Sequence, residues 1–204
     1  MTRQQRFARF VTTMVVRVPA TWRLFRGPLE RNFDRLAPQW DATRVSPERL
    51  LPLRAALEAV PSPPARVLDL GTGSGAAARL AAELWPDAQV VGVDLSPRMI
   101  DEARRLASSE RERYDVADSS ALGEPDGSFD LVTLNNMIPF FDEVARVVAP
   151  GGHVAVSYSL GPRTPIYVPF ARVRSELAAR GFAHVADFEV GTGESLLARK
   201  SERS

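Results

Sequence analysis

An apolar run that ends in an acid and continues into three alternating glycines most constrains this sequence. It reads Val-Leu-Asp-Leu-Gly-Thr-Gly-Ser-Gly at 67–75, and Gly-Val-Asp follows at 92–94, at the end of the next apolar run. Glycines at such a turn permit positive φ and leave backbone N–H groups uncovered at the start of a helix, where anions bind. An acid ending the second strand suits ribose hydroxyls. The sequence therefore predicts a strand, turn, helix and strand that bind a nucleoside-containing ligand.

Apolar runs and helical patterns alternate from residue 66 to residue 180. This alternation favours a parallel sheet with helices on both faces. The last two strand-like runs, 182–190 and 194–200, flank Gly-Thr-Gly and predict a closing antiparallel hairpin. The other predicted strands are 66–70, 88–93, 112–117, 129–134 and 152–159. The predicted helices are 74–84, 97–108, 139–148 and 170–180, preceded by one over about 28–37 and another that follows Ser46-Pro47.

Composition limits both the class of protein and its chemistry. With 204 residues, of which 45% are hydrophobic and 25% charged, the chain fits one globular α/β unit. It contains no Cys, which excludes disulfides and thiolate chemistry and favours a reducing, cytoplasmic location. The two histidines, His153 and His184, are too few for an ordinary histidine metal site, so no metal is expected.

The first 27 residues differ from the rest in charge. They contain six arginines and no acid, so the remainder of this chain of net charge +1 carries −5. Apolar residues at three- and four-residue spacing over 3–18 predict an amphipathic helix. We expect this arm to dock on the chain's own core, with contact to an anionic membrane surface or to a second copy in a homodimer as alternatives. A proline-rich linker at 61–64 separates an N-terminal helical arm and lid, 1–60, from the sheet domain, 61–204.

Two kinds of ligand fit the glycine turn by itself. Residues 71–76 also satisfy the dinucleotide pattern G-x-G-x-x-A, which keeps an NAD(P)-binding oxidoreductase open. Asp69 counts against that reading, because its position inside the strand end is usually apolar in dinucleotide folds. An acid there can bind an ammonium group or order the turn.

Several further motifs, taken in order along the chain, favour one family. They are Phe33-Asp34 with Trp40-Asp41, the turn at 69–75, Gly-Val-Asp-Leu-Ser-Pro at 92–97, Asp118, Pro-Asp-Gly-Ser-Phe-Asp-Leu-Val at 125–132 and Pro-Gly-Gly at 150–152. On these motifs, residues 30–200 resemble the class I S-adenosylmethionine-dependent methyltransferases of the methyltransferase type 11-like, small-molecule branch. The resemblance implies a Rossmann-like three-layer α/β/α sandwich, whose seven-stranded, mostly parallel sheet has an antiparallel last strand.

The resemblance also implies that S-adenosylmethionine is the cofactor and S-adenosylhomocysteine the product. Asp69 and the glycine turn would bind the methionine end, Asp94 the ribose hydroxyls, and Asp118 the adenine amine. Ser96 also fits a helix N-cap, and Met99 fits core packing equally well. The implied cofactor residues are Asp69, Gly71, Thr72, Gly73, Ser74, Gly75, Asp94, Leu95, Ser96, Met99, Asp118, Ser119 and Asn135.

The acceptor side is less defined by the sequence. Trp40, Asn136 and Tyr158 are the candidate lid and acceptor residues, and packing in the core suits Tyr158 equally well. Trp40 stands where the family's Phe-Asp-x-x-Ala-x-x-Tyr-Asp segment has Tyr, which keeps an aromatic wall but removes a hydroxyl. The run 136–140 departs from the Asn/Asp-Pro-Pro-aromatic motif of base methyltransferases, so DNA is not expected as a partner.

The expected function is methyl transfer to an unidentified small-molecule acceptor by in-line displacement. No catalytic base is assigned, because the sulfonium donor is already activated and alignment is most of the task. Two alternatives stay open: an NAD(P)-binding oxidoreductase, and a non-catalytic protein that binds S-adenosylmethionine or S-adenosylhomocysteine.

Overall fold

A computed structural model describes residues 3–202 of the chain. Four helices precede the sheet: α1 (Arg3–Arg17), α2 (Trp22–Leu36), α3 (Trp40–Arg44) and α4 (Pro47–Glu58). The remaining elements are β1 (Arg66–Leu70), α5 (Ala76–Leu84), β2 (Gln89–Asp94), α6 (Pro97–Leu106), β3 (Glu112–Val116), β4 (Phe129–Asn135), α7 (Phe141–Val147), β5 (Val148–Tyr158), α8 (Phe170–Ala178), β6 (Phe182–Val190) and β7 (Gly193–Lys200).

The seven strands form one sheet in the order β3-β2-β1-β4-β5-β7-β6. Strands β1 to β5 pair in parallel, and β7 lies between β5 and β6, antiparallel to both. The predicted fold class is confirmed. The strand order reverses between β1 and β4, and in open α/β sheets ligands bind at the carboxyl ends of the strands beside such a reversal.

Apolar side chains cover both faces of the sheet because successive residues of a strand point to opposite sides. In β1, Val67 packs with α4, α5 and α6, whereas Leu68 and Leu70 pack with α7 and α8 on the other face. Strands that are buried on both faces need near-continuous apolar runs. The runs in the sequence therefore follow from the layered architecture.

Two of the motifs singled out in the sequence hold the sheet together. The Asp130 carboxylate accepts hydrogen bonds of 2.9 Å from the backbone N–H groups of both Ala65 and Arg66, which fixes the start of β1 against β4. A Cβ on Gly152 would lie 2.9 Å from the carbonyl oxygens of Ala149 and Asp130, so this close approach requires glycine. Residues 148–151 consequently belong to β5, which begins four residues earlier than predicted.

The N-terminal arm docks on the chain's own core, as expected. Val11 and Val15 of α1, with Trp22 and Leu29 of α2, are buried in a cluster with residues that follow β4. Helix α2 begins six residues before its predicted start at 28 and contains Pro28 in its interior. Helix α4 packs instead against the sheet through Leu53, Ala56 and Leu57, and the domain boundary near residue 60 stays a prediction. Among residues 3–202, no helix is long and apolar enough to cross a membrane.

Candidate active site

A cavity of about 870 Å³ opens above the carboxyl ends of β1, β2 and β4. Its floor is formed by the glycine turn and the residues that follow these strands, and its roof by α1, α2 and the start of α4. Ligand pockets in proteins usually measure roughly 300–1,000 Å³. The cavity lies where the strand order predicts a ligand, and it lies between the arm and the sheet.

The glycine turn has the conformation that its sequence predicts. Gly71, Gly73 and Gly75 all have positive φ, at 67°, 54° and 84°. A Cβ on Gly71 would collide with the side chain of Met137, and one on Gly75 would lie 2.8 Å from the Tyr114 hydroxyl. The backbone is therefore packed closely from both sides, and only glycine fits these two positions.

The N–H groups of the turn are more occupied than the sequence suggests. Thr72 N–H donates to the Val93 carbonyl at 2.9 Å, and Gly75 N–H donates to the Thr72 carbonyl at 2.9 Å. Gly73 N–H donates to the Asp94 carboxylate, also at 2.9 Å. These three donors serve the protein, which departs from the expectation that the turn leaves its N–H groups for a ligand.

Asp94 joins the turn to the next helix and also lines the cavity. One carboxylate oxygen accepts from Gly73 N–H and the other from Ser96 N–H, each at 2.9 Å. Burial raises the pKa of Asp94, while the backbone N–H groups of Ser96 and Gly73 act in the opposite direction. An ionised carboxylate has about four acceptor positions. Leu95 N–H acts on Asp94 as a third backbone donor, which leaves about one acceptor position for a donor in the cavity.

Asp69 is buried, with 1% of its surface exposed, in the cavity floor. Its two carboxylate oxygens accept from the hydroxyls of Thr72 at 2.6 Å and Thr133 at 2.7 Å. Burial raises its pKa to about 6, although these two hydrogen bonds lower it. Asp69 therefore orders the turn and β4, and it places negative charge beneath the cavity at neutral pH.

Asn135 and Asn136 follow β4 and line the same cavity. The Asn135 Oδ1 atom is buried and has no hydrogen-bond partner in the structure. Asn136 has a φ of 56°, and its Oδ1 accepts from Ser159 N–H at 2.9 Å. A left-handed asparagine and an unpaired buried amide oxygen are features that cluster at ligand sites.

The structure places Asp118 outside the cavity lining. Its carboxylate accepts from the Trp22 indole N–H at 2.8 and 3.0 Å, from Ser120 N–H at 2.9 Å, and from Arg26 at 3.5 Å. Burial alone would raise the pKa of Asp118, but hydrogen bonds from Ser120, Trp22 and Arg26 outweigh it and lower the pKa. Asp118 therefore anchors the arm, and its contact with adenine stays a prediction.

Most of the predicted residues meet at the cavity, and four do not. Gly75 underlies the turn, Asp118 holds the arm, and Ser96 caps α6 by accepting from Met99 N–H at 3.1 Å. Tyr158 is buried in the core against Tyr167, at 5.0 Å between ring centroids, so an acceptor role for it has no geometric support. The predicted residues that line the cavity are Asp69, Gly71, Thr72, Gly73, Ser74, Asp94, Leu95, Met99, Ser119, Asn135, Asn136 and Trp40.

Acids of the arm fasten it to the site. The Asp34 carboxylate accepts from the Ser96 hydroxyl at 2.5 Å, and the Asp41 carboxylate accepts from the Ser74 hydroxyl at 2.9 Å and from Arg79 at 3.1 Å. The Phe33-Asp34 and Trp40-Asp41 motifs are visible in the sequence, but the hydrogen-bond partners of the two acids are not. Their partners lie 33–62 residues away along the chain, so pairing needed the tertiary structure.

Among the described residues, the cavity lining contains no histidine, lysine, tyrosine or glutamate, and its only carboxylates are Asp69 and Asp94. His153 is buried in β5, where burial and then the charge of Arg199 lower its pKa. The upper, arm-facing part of the cavity thus carries apolar groups and arginines. This part can position a second ligand and place positive charge beside it, but its described lining contains no general base.

The fold and this cavity define an α/β protein whose ligand cavity lies between the N-terminal arm and the carboxyl ends of the strands. Residues 67–152 match the family described as "Methyltransferase domain". This match supports the resemblance to the class I S-adenosylmethionine-dependent methyltransferases that the motifs indicate. The methyl donor of that family is S-adenosylmethionine.

Relatives with known names differ in their acceptors. The chain is 38% identical to demethylmenaquinone methyltransferase of Thermus thermophilus over 61% of this chain and 62% of the relative. It is 37% identical to malonyl-[acyl-carrier protein] O-methyltransferase of Halorhodospira halophila, over 68% of this chain and 50% of the relative. The chain thus spans half to about three-fifths of the length of these relatives.

A solved structure shares the fold. The S-adenosylmethionine-dependent methyltransferase of Aquifex aeolicus superposes with a TM-score of 0.65 at 18% identity, covering 83% of this chain and 97% of the other. At this identity the likeness concerns architecture, and a fold of this kind supports many activities.

Proposed function

We propose that the protein transfers a methyl group from S-adenosylmethionine to a small-molecule acceptor held beneath the N-terminal arm. The observation that carries the proposal is the shared cavity: the residues predicted for the cofactor form its floor, and apolar arm residues form its roof. A cavity of about 870 Å³ is near the upper end of the usual range for one ligand. This volume suits two reactants side by side.

The chemistry of the floor fits the cofactor. Asn135 Oδ1 is a buried acceptor without a partner, and Asp69 carries negative charge nearby in the same floor. Together they suit the ammonium group of the methionine end. Asp94 keeps acceptor capacity toward the cavity for a ribose hydroxyl, and Leu95 and Met99 offer apolar surface to adenine.

Bound S-adenosylmethionine supplies an activated methyl group on a sulfonium. The part played by the chain is to hold the acceptor in line with it and to exclude water. The absence of a base among the described lining residues suits an acceptor that is already ionised or electron-rich. The relatives described above are named for two different acceptors, demethylmenaquinone and malonyl-[acyl-carrier protein].

Calorimetry with S-adenosylhomocysteine and with NAD tests the cofactor part of the proposal. We expect S-adenosylhomocysteine to bind and NAD to bind far more weakly. Asp94→Ala should weaken S-adenosylhomocysteine binding roughly ten- to a hundredfold, since charge-assisted bonds to hydroxyls contribute about 1.5–3 kcal/mol.

The matched control is Asp101→Ala, an exposed acid on α6 outside the cavity, which should leave the affinity unchanged. Tighter binding of NAD than of S-adenosylhomocysteine would reject the proposal. Binding without methyl transfer to any acceptor tested would favour the non-catalytic alternative.

A further inference from the structure

The arm side of the main cavity is called the chamber below, and the place where it adjoins a smaller cavity is called its mouth. Three of the four arginines that line the main cavity lie at this mouth. Arg35 ends α2, Arg44 ends α3 and Arg49 lies in the first turn of α4. All three line the main cavity, and all three also line an adjoining cavity of about 540 Å³ whose described lining contains no acid. The two cavities therefore share a wall of positive charge.

Each of these arginines is oriented without being neutralised. Arg35 donates to Asn32 Oδ1 at 2.8 Å, and Arg49 donates to the backbone carbonyl of Arg44 at 3.3 Å. The Arg44 guanidinium lies over the ring of Trp40, 5.3 Å from its centre. None of the three has an acidic partner within 4.0 Å among residues 3–202. A guanidinium has five donors, so each keeps free N–H groups.

The nearest acids in sequence are committed to other groups. Asp34 accepts from Ser96, and Asp41 accepts from Ser74 and Arg79. Glu48 is fully exposed, and hydrogen bonds from its own backbone N–H and from Ser46 lower its pKa. The positive charge of the three arginines therefore stays available at the chamber mouth.

The part of the main cavity behind these arginines is mostly apolar, with Arg31, Asn32 and Ser46 among its polar residues. Its described lining on the arm side contains no general base, and the only carboxylates lie in the floor. A ligand that fills it needs an apolar body, and an anionic group would be bound at the mouth by planar, multidentate donors. The apolar lining residues include Val11, Leu29, Phe33, Leu50, Ile138 and Ile166.

We propose that Arg35, Arg44 and Arg49 bind an anionic group of the methyl acceptor, a carboxylate or a phosphate attached to an apolar body. This inference rests on the proposed function, because it specifies the chemical class of the acceptor for the same cavity. The anion is an anchor at the chamber mouth, and the atom that receives the methyl group lies deeper, toward the floor.

The test uses the full chain saturated with S-adenosylhomocysteine, with octanoate, octyl phosphate, 1-octanol and inorganic phosphate as probes in calorimetry. Octanoate or octyl phosphate should bind at least tenfold more tightly than 1-octanol, and inorganic phosphate should bind weakly. The triple variant Arg35→Gln, Arg44→Gln, Arg49→Gln should lose this preference for the charged probes and keep its affinity for S-adenosylhomocysteine within about twofold, since the cofactor floor is untouched.

A charge-matched control removes three exposed arginines that line neither cavity and have no ion pair among the described residues: Arg17→Gln, Arg23→Gln and Arg111→Gln. This variant should bind octanoate like the parent. Equal binding of octanoate and 1-octanol by the parent would overturn the inference. Loss of S-adenosylhomocysteine affinity in the first triple variant with octanoate binding retained would also overturn it, because the arginines would then hold the cofactor's own carboxylate.

The octanoate measurements are repeated without S-adenosylhomocysteine. If the parent fails to bind S-adenosylhomocysteine but still prefers octanoate over 1-octanol through the three arginines, the cofactor proposal fails and the anion site stands. If the parent neither binds S-adenosylhomocysteine nor prefers octanoate over 1-octanol, both proposals fail. The two proposals are thereby separated.

Discussion

At the scale of single residues, two effects act in opposite directions on the pKa of the buried acid of the glycine turn: burial raises it and hydrogen bonds lower it. Asp69 is held by Thr72 and Thr133 hydroxyls, yet burial raises its pKa from 3.8 to about 6. An acid with a raised folded-state pKa favours folding while protonated. Its contribution is fully present below about pH 3.8 and is lost as pH rises through 6. At neutral pH this charge costs stability, which a bound cation can recover.

Asp69→Asn is therefore expected to stabilise the ligand-free protein at pH 8. A pKa shift of this size corresponds to a gain of at most about 3 kcal/mol in the free energy of unfolding. Because the variant loses hydrogen bonds to a charged acceptor, the expected gain is roughly 1–3 kcal/mol. The gap should close as pH falls to about 4, where the parent carboxyl is protonated. Urea unfolding at pH 4, 6 and 8 measures the effect, and a variant less stable than the parent at pH 8 contradicts this account.

At the scale of elements, the N-terminal helices are tied to the sheet at points that lie far apart in sequence. Trp22 of α2 donates to Asp118 after β3, and Asp34 of α2 accepts from Ser96 at the start of α6. The pKa of Asp118 is lowered in the folded state, so its contribution to stability is present at neutral pH and is lost as the pH falls below the ordinary range of a carboxyl. The arm should therefore loosen in acid.

Trp22→Phe tests this attachment because it removes the indole N–H and keeps an aromatic ring beside Phe140. A hydrogen bond to a charged group contributes about 1.5–3 kcal/mol, and partial exposure of Asp118 reduces this to roughly 1–2 kcal/mol. We expect lower stability in urea and faster tryptic cleavage in α1 and α2. Leu24→Ala, at a position 73% exposed on the same helix, is the matched control. Equal cleavage of Trp22→Phe and the parent would show that the indole does not anchor the arm.

At the scale of the whole molecule, one end of the protein is basic and partly apolar on its outer surface. Phe7, Phe10 and Leu24 are exposed, at 46%, 54% and 73%, beside the arginines of the arm. The buried side of α1, through Val11 and Val15, is already satisfied by the core. The exposed side is the part of the arm that suits an anionic membrane surface.

We predict that the protein sediments with phosphatidylserine-containing vesicles at low salt and is released at ~1 M salt, where the Debye length is only about 3 Å. A Phe10→Ser, Leu24→Ser variant should sediment less. Val185→Ser, which removes an apolar side chain that is 46% exposed on β6, should behave like the parent. Absence of sedimentation at low salt would reject membrane contact and leave the arm with its role as a roof.

Local signals in the sequence were enough for the sheet, the turn and most of the cavity floor. Strand periodicity, the positive-φ glycines and the acid that ends β2 act over a few neighbouring residues, so their geometry is encoded locally. The predicted elements are found with boundaries shifted by a few residues. Helix α2 and strand β5 begin earlier, because packing extends both beyond what their local patterns indicate.

Contacts between distant segments were decided only by the tertiary structure. Trp22 donates to Asp118 across 96 residues, which makes this acid an anchor for the arm, and Tyr158 points into the core because of its register in β5. Arg35, Arg44 and Arg49 carry no pattern in sequence, and they meet because three helix ends converge. The sequence by itself determined the fold class, the glycine turn and most of the residues of the cavity floor, since these depend on short-range backbone geometry. Only the folded chain determined the roof and its charge, because helix packing brings together side chains that no local spacing relates.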